Sequence, residues 1–201
     1  MITVDAIILA AGQSSRMGAQ NKLLTPLAGR PLLHHALNTF CGHSGIREVI
    51  LVTGHQSAQV QASTHGFDAR VVHAQHHADG MSASLKCGVQ ALRTSCDAFF
   101  VALGDMPHVC PSTLEQLIST MDRHQSPIVA PSHQGRRGHP VLFARALAPQ
   151  FLALTGDRGA KEILQQSDIT LVDVNDPGIL KDYDTPESFN SVLKVVEEPF
   201  E

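Results

Sequence analysis

Four charged side chains in this 201-residue sequence are spaced so that they could handle phosphate: Arg16, Lys22, Asp105 and Asp184. The first two fall in the stretch 6–22, where an apolar run stops at Ala10-Ala11-Gly12 and turns basic. Gly12 and Gly18 let backbone amides approach an anion, Ser14 and Ser15 add hydroxyl donors, and Arg16 and Lys22 bring charge. That set is a polyphosphate grip. No Asp or Glu occurs from residue 6 through residue 47, a window that also holds Arg30 and Arg47. A chance acid-poor stretch is the plainer account, but the gap coincides with the glycine loop, which favours an anion site. Asp105 follows an apolar run and precedes Met106-Pro107. An Asp near proline is often only a turn former. A triphosphate, however, needs Mg²⁺, and carboxylate oxygens are the hard ligands Mg²⁺ takes, so Asp105 reads as a metal ligand. Asp182 and Asp184 would face one side of an extended segment. Their alternative is an acid pair that complements the dipole of a following helix. Asp184 and Asp105 together would hold one Mg²⁺.

These residues must be carried by an α/β framework. Residues 6–9, 47–53, 69–73 and 97–103 are apolar runs of strand length, the first and last apolar on both faces as covered parallel strands are. Between them, residues 31–40 place Leu33, Ala36, Leu37 and Phe40 on one helical face after a first-turn proline. Residues 56–64 and 81–92 predict further helices, the latter striped by Leu85, Val89 and Leu92. Residues 111–123 predict the next helix, and residues 126–132 and 139–143 two hairpin-like strands. Short helices are expected at 144–154 and 157–166, a late strand at 169–174 and a closing helix at 186–197. The expected fold is a three-layer, Rossmann-like α/β domain over residues 1–201, with a mostly parallel sheet and a late hairpin extension. In such sheets the ligand lies beyond the carboxyl ends of the strands. That rule gathers the Gly12 loop, Gly54, Asp105 and the end of the late strand.

Composition narrows the partners. Net charge is −4 and no Lys/Arg run occurs, which disfavours nucleic acid or an acidic membrane surface. The opening residues lack a basic region followed by a long apolar core, and no run approaches a membrane span, so a cytoplasmic protein is expected. Cys41, Cys87, Cys96 and Cys110 show neither a C-x-x-C pair nor zinc spacing, and buried reduced thiols are the default. The twelve histidines are scattered. Adjacent pairs such as His34-His35 point apart, which suits hydrogen-bonding roles better than metal binding.

The loop is neither G-x-G-x-x-G nor a Walker sequence, and the second strand ends in Val52-Thr53-Gly54 with no acid for a ribose hydroxyl. A dinucleotide oxidoreductase or an ATPase is therefore disfavoured. Leu9-Ala-Ala-Gly-Gln-Ser-Ser-Arg-Met-Gly18 with Lys22 resembles instead the signature of nucleotidyltransferases that activate a phosphate with an NTP. Five further segments widen the match: Gly80-Met-Ser-Ala-Ser84, Gly104-Asp-Met-Pro107, Arg137-Gly-His-Pro-Val-Leu-Phe143, Gly156-Asp-Arg-Gly-Ala160 and Asp182-Tyr-Asp-Thr-Pro-Glu187. Together they resemble the molybdenum cofactor cytidylyltransferase branch of the MobA-like NTP transferase family, over residues 6–187.

The resemblance implies a Mg²⁺-dependent transfer of CMP from CTP to the terminal phosphate of molybdopterin, giving the cytosine dinucleotide and pyrophosphate. It places Leu9, Ala10, Ala11, Gly12, Ser14, Gly18, Lys22, Gly80 and Ser82 around the nucleotide. Arg16, Lys22 and Asp105 are then catalytic, and Asp105 and Asp184 hold the metal. Arg137, Gly138, His139, Asp157 and Gly159 would face the acceptor, although a strand-end histidine satisfied by backbone accounts equally well for His139. Ala11 argues for cytosine, since the guanylyl branch resembles L-A-G-G. One departure touches the acceptor: relatives commonly carry Asn-Pro after the third strand, where this chain has Ala74-Gln75. A molybdoenzyme would receive the product. The rivals are a guanylyltransferase, a cytidylyltransferase for another phosphate, and a non-catalytic carrier of the pterin cofactor.

Overall fold

A first strand that is apolar on both faces requires cover on both, and it has it. The computed structural model describes residues 1–13, 21–157 and 159–184. β1 (Val4–Ala10) sends Val4, Ala6, Ile8 and Ala10 into one core cluster and Ile7 into the other, the two-residue period of extended backbone. A short hairpin, β2 (Pro26–Leu27) and β3 (Arg30–Pro31), then leads into α1 (Leu32–Cys41). β4 (Ile46–Thr53), α2 (Ser57–Ser63), β5 (Ala69–His73), α3 (Met81–Ala91) and β6 (Ala98–Leu103) follow in alternation. α4 (Pro111–His124) precedes β7 (Ile128–His133), β8 (Arg136–Arg137) and β9 (Val141–Ala144). α5 (Ala148–Ala153), α6 (Lys161–Gln166) and β10 (Ile169–Asp173) complete the described elements.

The main sheet runs β10-β7-β9-β6-β1-β4-β5, with β8 paired to β7. Along that path β9 alone is antiparallel to its neighbours. α1, α2 and α4 pack on one face, through Leu33, Leu37, Val60, Leu114 and Leu117. α3, α5 and α6 cover the other, through Leu85, Val89, Phe151 and Ile163. The three layers are those expected, and the sheet is mostly parallel. The expected late hairpin pairing is present too, but its return strand β9 lies inside the sheet, between β7 and β6, and not at an edge. Val141, Leu142 and Phe143 are all buried, so β9 needs cover on both faces. The closing helix expected at 186–197 lies outside the described residues.

The β2–β3 hairpin was not legible. It turns through Ala28 and Gly29 at φ of 48° and 77°, left-handed backbone that a short hairpin requires and an alanine seldom announces. Arg47 of the acid-poor window leaves the anion loop: it clasps buried Asp5 at the opposite end of β1, with Nε and Nη2 donating at 3.0 and 2.8 Å. The four cysteines are free thiols; Cys96 is buried, whereas Cys110 is exposed, against the expectation for it. His34 and His35 do point apart, each Nε2 donating to a different carbonyl, Ser63 and Leu27. No helix among the described residues is long and apolar enough to cross a membrane.

Candidate active site

The parallel strands β1 and β6 end side by side, and the chain beyond each opens a cavity of about 660 Å³. Leu9, Ala10, Ala11, Gly12 and Gln13 line it from β1, Leu103 and Asp105 from β6. Residues 77–81 and Ser84 form a second wall at the start of α3, and Asp157, Asp182 and Asp184 come from later loops. The volume suits a nucleotide-sized ligand.

Lys22 enters on a 3₁₀ turn, Lys22–Leu24, that Asn21 caps: its buried Oδ1 accepts from Leu23 N at 3.1 Å. The ammonium donates to both Asp105 Oδ2 and Asp184 Oδ1. Lys22 and Asp105 side chains are about 15% and 14% exposed, Asp184 38%. Burial by itself lowers the Lys22 pKa, but Asp105 and then Asp184 outweigh it, so the pKa is raised and the lysine stays charged. One cation thus lies between two carboxylates contributed by different ends of the chain, the place and donor chemistry that a hard divalent ion also takes.

α3 begins at the opposite wall. Gly80 holds a φ of 113°, and a Cβ there would come within 2.9 Å of the Gly156 carbonyl oxygen, so the position requires glycine. Asp157 Oδ1 accepts from Met81 N at 2.9 Å, capping a helix 76 residues away in sequence. Among the described lining residues five are aspartates (79, 105, 157, 182 and 184) and one is a lysine. A polyanion entering here meets more acid than base unless further cations accompany it.

The profile of the MobA-like NTP transferase domain matches residues 6–171. The chain belongs to that family. It is 28% identical over 193 residues to the molybdenum cofactor cytidylyltransferase of Escherichia coli, covering 94% of this chain and 95% of that one. It is 30% identical over 198 residues to the nicotine blue oxidoreductase of Paenarthrobacter nicotinovorans, covering 94% and 96%. The crystal structure of Rv0371c from Mycobacterium tuberculosis superposes with a TM-score of 0.82 at 25% identity, over 96% and 98% of the two chains. A structure of that protein in complex with manganese gives 0.79 at 23%, which bears on the fold alone.

Within this MobA-like framework the expected residues divide. Leu9, Ala10, Ala11, Gly12, Lys22, Gly80, Asp105, Asp157 and Asp184 all line the cavity. Ser14, Arg16 and Gly18 lie outside the described residues. Ser82 is buried and borders a neighbouring hollow, while Ser84, two residues on, faces the main cavity. Arg137, Gly138, His139 and Gly159 do not line it. Arg137 is exposed on β8. Gly138 is buried, and a Cβ there would overlap the Ile179 carbonyl oxygen. A Cβ on Gly159 would meet Met81 Sδ at 2.7 Å. His139 N donates to Ile179 O at 2.9 Å. Burial lowers the pKa of its ring, with Asp105 opposing. Sequence reading missed Asn21, His77, Asp79 and Leu103, whereas Met81 and Ser84 fall in the Gly80–Ser84 segment that the resemblance sets about the nucleotide. Only Asn21 had a signal, a capping residue immediately before the lysine.

Proposed function

We propose that this MobA-like enzyme transfers CMP from CTP to the terminal phosphate of molybdopterin, giving the cytosine dinucleotide and pyrophosphate. The observation that carries the reading is the convergence of Asp105 and Asp184 on Lys22, beside a bare-backbone loop end at Ala11-Gly12. A phosphate oxygen of the acceptor forms a bond to the α-phosphorus of CTP, the bond from that phosphorus to the bridging oxygen breaks, and pyrophosphate leaves with the electron pair. The attacking oxygen is already ionised, so no general base is needed. Asp105 and Asp184 would hold Mg²⁺, whose charge offsets that of the triphosphate against the acidic walls.

Lys22, kept protonated, neutralises charge gathering on the leaving pyrophosphate. The amides around Gly12 face the phosphates. Ala11, buried at the loop start, and Gly80 bound the base end, and Ala11 favours cytosine. Support comes from the cytidylyltransferase of Escherichia coli matched along nearly the whole chain. The relative named an oxidoreductase gives no matching chemistry here: β4 ends in Thr53-Gly54 without an acid for a ribose hydroxyl.

The test is incubation with Mg²⁺, molybdopterin and each NTP in turn, following pyrophosphate. Release with CTP alone supports the reading, and release with GTP moves it to the guanylyl branch. No release with any NTP, together with tight pterin binding, moves it to a carrier.

A further inference from the structure

Two like-charged carboxylates do not converge unless their backbones are held, and residues 176–184 are fastened to residues 105–113 at several points. Asp176 is 3% exposed, and its carboxylate accepts from Cys110 N at 2.9 Å, Thr113 Oγ1 at 2.7 Å and Gly178 N at 2.9 Å. That joins the start of the segment to the first turn of α4. At the other end, Asp182 and Asp184 face the cavity while Tyr183 between them points into the core at 0% exposure. Tyr183 N donates to the Asp105 carbonyl at 3.2 Å. Its hydroxyl shares a 2.7 Å hydrogen bond with His108 Nε2, and His108 lies three residues beyond Asp105. The two carboxylate-bearing backbones are thus tied directly to each other, and the single tyrosine of the chain makes both ties.

We infer that Tyr183 is a positioning residue: through His108 and the Asp105 carbonyl it fixes the spacing at which Asp105 and Asp184 close on Lys22. The metal role of that pair rests on the proposed function; the clamp itself does not. Tyr183→Phe keeps the ring and removes the hydroxyl, and His108→Leu removes the other half of the bond.

The probe is competitive acetylation of Lys22 against the exposed lysine Lys161 of α6 in the metal-free full-length protein. In the wild type Lys22 is expected to react slowly. In each variant Lys22 should react several-fold faster, because the two carboxylates that enclose its ammonium are no longer held together. The double variant should rise no further, because both changes break one bond. Unchanged Lys22 reactivity in the folded variants overturns the inference, and so does a fall in Tm with Lys22 still protected. Mn²⁺ binding read by electron paramagnetic resonance separates the two proposals. If the wild type binds Mn²⁺, Tyr183→Phe should weaken it roughly ten- to a hundredfold, the cost of losing an outer-shell partner that orients a ligand. Failure of the wild type to bind Mn²⁺ counts against the proposed function and leaves the clamp standing on the lysine data.

Discussion

The nucleotide side and the expected acceptor side of this site contrast. On the nucleotide side, residues 9–12, Lys22, Asp105 and Asp184 all face the cavity. Of the five expected acceptor residues only Asp157 does, and its carboxylate caps α3. Gly138, His139 and Gly159 instead fit the β8–β9 connection and the 156–160 loop against Ile179 and Met81. Residues expected at one site can therefore either line its cavity or pack the chain behind it. Here the charges at strand ends line the cavity, whereas Gly138 and Gly159 pack closely on Ile179 and Met81.

The largest expected effect belongs to the nucleotide side. Lys22→Ala should lower kcat by two or more orders of magnitude, roughly what removal of one preorganised charge at a reacting centre costs, with circular dichroism and Tm near wild type. A rate within a few-fold of wild type would take Lys22 out of the chemistry. On the acceptor side the order reverses. Gly138→Ala should act through stability, with Tm falling by several degrees for a cost of about 1–3 kcal/mol from forced overlap, and KM for the acceptor changing little in the protein that remains folded. A large KM change at unchanged Tm would return Gly138 to ligand contact and erase the contrast.

The smallest effect lies away from both sides and serves as their control. Glu48 is held down to a pKa of about 2, first by the Arg70 hydrogen bond, with burial opposing and Arg93 assisting, against an ordinary value of 4.5. A depressed carboxylate stabilises the fold fully above its ordinary value, and that contribution is lost as pH falls through the folded value. Tm should therefore decline between about pH 4.5 and 2, and Glu48→Gln should flatten part of that decline while leaving turnover at neutral pH unchanged. An identical acid profile in the variant would show the pair contributes nothing measurable.

Much of the framework was legible because its signals are local. The doubly covered apolar run of β1, the helical stripes of α1 and α3, and the strand ends at Thr53 and Leu103 follow from side-chain pattern alone. Within the site, Lys22 and Asp105 were legible as charges placed where apolar runs stop. What was not legible depends on distant chain. The backbone of His139 is held by Ile179, the cap on α3 comes from Asp157, and the insertion of β9 between β7 and β6 rests on cover on both faces of the sheet. Arg47 shows the same limit: it sits in the acid-poor window, yet strand pairing puts it beside Asp5, at the end of β1 away from the cavity.

In the proposed reaction the Asp105–Asp184 pair serves a nucleotide with its cation. Pyrophosphate release from Mg·CTP in the presence of molybdopterin, compared between the wild type and the Asp105→Asn/Asp184→Asn variant, tests this most directly. Release by the wild type that falls at least a hundredfold in the folded double variant is the predicted result, of the size roughly expected when charge stabilisation at a reacting centre is removed. Equal rates in the two proteins would contradict it.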